Sequence, residues 1–358
     1  MNKDHVYKIF RERQTVEPKK FPQEEKTKLF SKETVLAIVL LAAAPLLWAL
    51  TIHQGNILRA SREKLRENIT QEETAFQSIS SARAEFEKLL MVAVLDIGQG
   101  DSIVIKTPDN KVILIDGGPF YDAHIHGNAG REVIAPFLKR IGAKKIDMLV
   151  LTHSDADHLG GLLNILKDIP VEAVVDQVIP KFTDLYDEYL NILLERRIKY
   201  IAANAGQVLD WGDAVYAQVL WPEETLEKRK DFTNVNRYSV VVKMTYGDVS
   251  FLFTGDIEKD AERALLTYRT GLKSTFLKSP HHGSKTSSLE SFIKYVDPEV
   301  VLISAGVGNK FGHPSPEVVK RYKKLGCTIY RTDRNGTILV YSNGNEYKVV
   351  TQKEGEAS

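Results

Sequence analysis

Cysteine is nearly absent: Cys327 is the single one in 358 residues, so the chain closes no internal disulfide and builds no cysteine-rich zinc site. Any metal it binds must be held by His, Asp or Glu. Excess charge is also lacking. A net charge of +1 gives no compositional signature of nucleic-acid or acidic-polymer binding, and no basic stripe interleaved with aromatics runs along the chain. No unit recurs at a fixed period, which excludes repeat architectures. At this length the chain holds one large domain or two smaller ones and can bury a full core.

One long apolar run interrupts the polar background. Residues 34–52, TVLAIVLLAAAPLLWALTI, carry no charge, and as a helix they rise about 28 Å, close to the hydrocarbon thickness of a bilayer. Pro45 is tolerable in a membrane helix, and Trp48 stands where an interfacial anchor would. The alternatives are a cleaved signal peptide or a buried core helix. A signal peptide does not place about thirty polar residues before its apolar core, and no small-x-small cleavage site follows. The expectation is a single-pass cell-membrane protein with its span at 34–53. Nine Lys/Arg in residues 1–32, against Arg59, Arg62, Lys64 and Arg66 after the run, predict a cytoplasmic N-terminus and an extracytoplasmic remainder. Residues 1–33 read as a disordered tail, and 351–358 as a short C-terminal tail.

Residues 54–90 are charged and helix-favouring. Leu58, Leu65, Ile69, Phe76, Ile79, Phe86 and Leu90 follow heptad spacing, interrupted by Glu72 and Arg83. Two readings stand: a lone amphipathic helix, or a stalk through which the protein self-associates.

From Met91 to about residue 350 the texture becomes short apolar runs separated by Gly, Asp and Pro. MVAVLDIG, DSIVIKTP and KVILIDGG predict three strands. A helix follows around Glu132 to Gly142, then the strand KIDMLVLTH. VEAVVDQV predicts a strand, Leu185 to Arg197 a helix, and SVVVKMTYGDVSFLFTGD a hairpin turning at Gly247-Asp248. Strands ending in STFLKSPHH and EVVLISAG alternate with helices, and TIYRTDRNGTILVYSNG reads as a closing hairpin. This mixture predicts an α/β domain of sheets covered by helices.

The chemistry concentrates in HSDADH, His153 to His158, at the end of an apolar strand and ahead of a helix entered through Gly160-Gly161. A curled loop can aim His153 and Asp155 at one point and Asp157 and His158 at another. Four ligands divided two and two suit a pair of metal ions. A polar loop whose aspartates cap the next helix is the bland alternative, and four ligand-type residues at this spacing weigh against it. Further candidates also follow apolar runs: Asp256 after VSFLFTG, His281 and His282 after STFLKSP, and His313 in FGHPSP.

HSDADH followed by LGG resembles the HxHxDH motif of the metallo-β-lactamase superfamily, with Asp155 in place of the middle histidine. LIDGG at Leu114 to Gly118 and TGD at Thr254 to Asp256 resemble its other signposts. The chain is most similar to the metallo-β-lactamase-like domain of the ComEC family of DNA-uptake channel proteins. It shares LDIGQGDS (Leu95 to Ser102), the HxDxDH form, TGD, PHHGS (Pro280 to Ser284) and GHPS (Gly312 to Ser315). The resemblance covers nearly all of 91–350 and implies an αββα sandwich with a dinuclear site at one edge.

Residue by residue, the resemblance implies that His153 and Asp155 hold a first metal, Asp157 and His158 a second, and that Asp256 bridges both. His282 is the first choice for the remaining ligand, with His281 close behind. In a competing reading His313 takes that role, and the HHGS pair binds substrate or protonates the leaving group. The histidine expected between HxDxDH and TGD is missing, and NVNRYS, with Asn236 and Ser239, stands there. The resulting set is carboxylate-rich, so Mn²⁺ competes with Zn²⁺ as the metal, and Mn²⁺ is expected to support activity better. Asp157 could also orient the attacking water. Lys278, Ser284 and Gly283 could meet a substrate phosphate; for Lys278 a solvent-facing edge lysine is the alternative. Asp96, Asp101 and Asp116 would support the ligands from behind. His124 and His126 read as rim residues.

The expectation is a membrane-anchored metallohydrolase cleaving phosphodiesters, DNA being the substrate by analogy. The rivals are a phosphorylcholine-esterase-like hydrolase of envelope polymers and a non-catalytic, metal-stabilised binding module.

Overall fold

LMVAV, the strand β1 (Leu90–Val94), is apolar at every position and buried throughout. Such a strand is stable only where both of its faces are covered. In the computed structural model, which describes residues 88–179, 181, 183–223 and 234–353, that demand is met by two sheets packed face to face with helices outside. The first sheet runs β15-β14-β1-β2-β3-β4-β5-β6 and the second β13-β12-β11-β10-β9-β8-β7. Here β2 is Ile103–Lys106, β3 Val112–Ile115, β4 Met148–Leu151, β5 Ala173–Asp176 and β6 Lys199–Ala202. In the second sheet β7 is Val208–Leu209, β8 Tyr216–Trp221, β9 Val241–Tyr246, β10 Val249–Phe253, β11 Phe276–Lys278, β12 Val300–Ile303 and β13 Thr328–Arg331. The closing pair is β14 (Ile338–Ser342) and β15 (Tyr347–Thr351).

Period-two alternation divides each strand between two cores. Leu90, Val92 and Val94 enter the inter-sheet core with Phe251, Phe253, Phe276, Val300 and Leu302. Met91 and Ala93 face a second core with Leu162, Leu166, Tyr189 and Leu193 of the helices over the first sheet. Leu252, Leu277, Val301 and Ile303 face a third, with Leu265, Phe292, Ile293 and Tyr322. The four layers are thus helix, sheet, sheet, helix. Helices α1 (Ala135–Arg140), α2 (Ala156–Leu159), α3 (Leu162–Asp168) and α4 (Asp184–Glu195) belong to the first half of the chain. Helices α5 (Lys259–Leu265), α6 (Glu290–Val296), α7 (Pro316–Lys324) and α8 (Thr332–Asn335) belong to the second.

The strands β3 to β6 are mutually parallel, as are β10 to β13. The loops after β3, β4, β10, β11 and β12 all leave carboxyl ends of these parallel runs, where open α/β sheets build their sites.

Two expectations need correction. TIYRTDRNGTILVYSNG does not form a hairpin, because residues Thr332–Asn335 fold as the helical turn α8, anchored where Thr332 Oγ1 accepts the Ala305 N–H at 2.9 Å and donates to the Ala305 carbonyl at 3.0 Å. The chain therefore crosses from the edge of the second sheet to the first, where β14 pairs with β1, Val340 opposite Val92. The membrane placement is also corrected. Among the described residues no helix is long and apolar enough to cross a bilayer, the longest, α4, having 12 residues. The segment 34–53, the tail 1–33 and nearly all of the stalk 54–90 lie outside the described residues.

One buried acid secures the loop that carries His281 and His282. Glu262 of α5 accepts the Ser288 and Leu289 N–H groups, the latter at 2.7 Å, at the start of α6. Burial pushes its pKa from 4.5 up to about 7, opposed by those two donors and the Arg321 charge. The folded chain therefore holds this proton more tightly than the unfolded one. The stability it contributes, roughly 3 kcal/mol, is complete below the unfolded value and is lost as the pH rises through about 7. Urea-unfolding free energies measured from about pH 5 to 8 are expected to fall with pH, and to fall less steeply in Glu262→Gln. An unchanged slope in the variant contradicts this assignment.

Candidate metal centre

The strand β4 ends at Leu151, and Thr152 and His153 follow directly into a loop whose Asp155 stands at the N-cap position of α2. The turn is tight enough to require glycine beside it. A Cβ on Gly100, at φ +130°, would stand 2.0 Å from the Asp157 carbonyl oxygen, and one on Gly161 would stand 2.0 Å from the Gly117 carbonyl oxygen. These contacts draw LDIGQGD and LIDGG against HSDADHLGG.

Asp256, at the end of β10, reaches the middle of the arrangement. Its Oδ2 lies 3.3 Å from His282 Nε2, 3.4 Å from His158 Nε2, 3.6 Å from His281 Nε2 and 4.0 Å from His153 Nε2. Two trios offer donor atoms within 4.8 Å of one another and share His158: His153 with His158 and Asp256, and Asp157 with His158 and His282. Asp101 forms a further trio with Asp256 and His282, and another with Asp116 and His158.

The imidazoles are turned by partners on their far nitrogens. His158 Nδ1 meets Asp116 Oδ2 at 2.8 Å, His282 Nδ1 meets the Ser304 carbonyl at 3.1 Å, and His153 Nδ1 meets Thr152 Oγ1 at 3.1 Å. Asp116 is itself fixed, accepting the Thr152 N–H at 2.8 Å and its hydroxyl at 2.7 Å. Partnering at Nδ1 is how proteins orient an imidazole that binds metal through Nε2. The Nε2 atoms of His153, His158 and His282 and the Oδ1 atom of Asp256 are buried without any hydrogen-bond partner. Buried polar atoms are normally satisfied, and four unsatisfied ligand atoms of mixed imidazole and carboxylate type fit divalent cations.

The electrostatics agree in sign. Burial opposes charge on His158, but Asp256 and Asp116 outweigh it and raise the ring's pKa well above the ordinary value. His282 is raised likewise against burial, by Asp256 and Asp101. Burial would raise the Asp256 pKa, yet the charges of His282, His158 and His281 hold it well below the usual carboxylate range. The pocket's carboxylates demand positive charge.

The remaining expected residues are placed as follows. Asp155 joins no trio: one oxygen is 3.7 Å from His153 Nε2, and the other is paired with the Lys181 ammonium. His281 is one-fifth exposed and reaches Asp256 and Glu258 but no trio. His313 also joins none; its ring centroid lies 5.5 Å from that of His281 and 6.3 Å from that of His282. Burial and the charges of His282 and His281 push its pKa down to about 4. Lys278 does not reach an open face. It is buried and paired with Asp101 Oδ2 at 2.7 Å, because β11 lies inside its sheet and points this side chain at the LDIGQGD loop. Ser284 is buried with its hydroxyl 3.0 Å from Thr286 Oγ1, and Gly283 packs on Pro314. Ser239 accepts the Asp256 N–H at 3.2 Å, and Asn236 lies in the 3-10 turn Val235–Tyr238 that delivers it. Asp96 stands apart, 3.4 Å from His124 Nε2 and 3.3 Å from Lys353 Nζ.

Three contributors were not singled out from the sequence. Thr152 links Asp116 to His153, and its place inside LTH was the available signal. Lys181 and Ser304 carried none, since their roles arise only from tertiary placement.

Residues 95–307 match the metallo-beta-lactamase superfamily. ComE operon protein 3 of Bacillus subtilis (strain 168) is 35% identical over 259 residues, covering 69% of this chain and 32% of that protein. Competence protein ComA of Neisseria gonorrhoeae is 32% identical over 250 residues, covering 69% and 31%. Recombination protein 2 of Haemophilus influenzae is 30% identical over 249 residues, covering 70% and 28%. The chain spans about a third of the length of these relatives. By its matched region the chain belongs to the metallo-beta-lactamase superfamily, with a metallo-hydrolase fold related to competence proteins.

Proposed function

We propose that this protein is a metal-dependent phosphodiesterase that cleaves DNA. The observation that carries the reading is Asp256 Oδ2, set within 4.0 Å of four imidazoles among otherwise unpartnered donors. His153, His158, Asp157, Asp256 and His282 would hold two divalent ions, with Asp155 beside the first. Such ions supply an activated water and neutralise charge on a phosphodiester oxygen. Asp157 keeps a third of its side chain exposed while its Oδ2 lies 3.6 Å from His282 Nε2. That leaves a carboxylate oxygen able to orient a water and take its proton. His281, one-fifth exposed and 3.6 Å from Asp256, would protonate the departing oxygen. Lys278 acts at one remove, since its ammonium fixes Asp101, whose Oδ1 lies 3.3 Å from His282 Nδ1. Similarity to competence proteins favours DNA as the polymer. The near-neutral charge supports a second reading, hydrolysis of phosphoester-containing envelope polymers.

With Asp155 beside them, the carboxylates of Asp157 and Asp256 balance the three imidazoles, a harder set than an all-histidine zinc site and one that favours Mn²⁺ over Zn²⁺. Apoprotein reconstituted with either ion and assayed on single-stranded DNA, bis-p-nitrophenyl phosphate and a choline-phosphate substrate is expected to be most active on DNA with Mn²⁺. Equal or better rates with zinc would contradict the metal preference, and turnover of the choline substrate alone would select the second reading.

A further inference from the structure

A row of three rings leads out of the candidate centre. His282 is buried; the ring of His313 lies 6.3 Å from it at 30°, and that of Phe311 lies 5.7 Å beyond at 23°. Phe311 is 57% exposed, which is unusual for a phenylalanine stacked so closely on a site. The loop that carries it is held in shape rather than loose. The Asn309 side chain donates to the Gly306 carbonyl at 2.9 Å and to the His313 carbonyl, and its oxygen accepts the His313 N–H at 3.0 Å. The Lys310 ammonium lies over the Phe311 ring, 5.2 Å from its centroid, on a side chain that must swing aside for a base to take that face.

We propose that Phe311, backed by His313 and flanked by Lys310, is a stacking subsite for an unpaired nucleobase next to the phosphodiester being cleaved. The proposal rests on the nuclease reading and names its substrate more closely, as single-stranded nucleic acid. An exposed aromatic ring beside an ammonium suits a nucleotide, which offers a flat π-face to the ring and a phosphate to the lysine. It does not suit a quaternary ammonium headgroup, which Lys310 would repel. Bases in a duplex are already stacked on one another, so the ring selects strands whose bases are free.

The test is steady-state cleavage by the full chain with Mn²⁺, using a single-stranded oligonucleotide and an otherwise identical strand made abasic throughout. Phe311→Ala is expected to raise KM for the base-bearing strand roughly tenfold with kcat within about twofold, as loss of one base–aromatic stack implies. Phe311→Trp is expected to restore KM. On the abasic strand the parent and Phe311→Ala should coincide. If the parent cleaves DNA and Phe311→Ala leaves KM unchanged, or is impaired equally on the abasic strand, the subsite is refuted while the nuclease reading stands. A parent that cleaves no DNA refutes both.

Discussion

Asp256→Asn is expected to lower kcat/KM for phosphodiester hydrolysis by roughly 10³-fold and to release bound metal, the largest loss foreseen for a single side chain. The size follows from its position. One carboxylate oxygen lies within 4.0 Å of the Nε2 atoms of His153, His158, His281 and His282, and its neighbour Oδ1 is buried without a partner. No other side chain in the centre approaches so many candidate ligands. Asparagine preserves the volume and the backbone hydrogen bond to Ser239 but removes the negative charge set among the four imidazoles. Metal content by mass spectrometry and kcat/KM should fall together while the circular dichroism spectrum is retained. A variant that keeps full metal content and activity within about threefold would show that Asp256 is not the shared ligand.

How far the sequence announced this centre depends on where each residue's partner lies. His153, Asp157 and His158 are close in the chain and follow an apolar strand, so residue type and spacing were enough to mark them. Asp256 and His282 were legible for a related reason, as isolated ligand-type residues just past strand ends. Sheets covered by helices could be inferred from the alternation of strand and helix patterns, while the αββα sandwich came with the family resemblance; strands such as LMVAV and VVLI, whose unbroken apolarity demands cover on both faces, fit it. What stayed hidden is tertiary. Nothing in FLKSPHH says that Lys278 points inward at Asp101, in a loop far earlier in the chain. Likewise, Asp155 looked like a ligand from the motif, but the structure gives one of its oxygens to Lys181. β13 and β14 read as a hairpin because short sequence separation favours local pairing, whereas the cross-sheet connection between them depends on the α8 turn and its Ala305 anchor. Asp96 is a similar case: it shares a motif with Asp101, yet it turns towards His124 and Lys353.

Lys278→Met is expected to destabilise the domain by about 3–5 kcal/mol, the cost of stranding a buried charge. Lys278 and Asp101 are 1% and 2% exposed and lie 2.7 Å apart. Burial would raise the Asp101 pKa, but Lys278 first and His282 next hold it well below the usual range. Removing the ammonium leaves the carboxylate with His282 as its remaining close cationic neighbour. That ring would be drawn towards Asp101 and away from Asp157 and Asp256, which links stability to the geometry of the centre. Urea unfolding should be followed with a chelator present, so that metal linkage does not enter; a melting-temperature drop of roughly 10 °C is the thermal equivalent. The double variant Asp101→Asn/Lys278→Met removes both charges and should recover at least about half of the loss, since a neutralised pair no longer strands an ion. If the single variant lies within about 1 kcal/mol of the parent, Asp101 is neutral or otherwise satisfied, and the support assigned to it behind His282 fails.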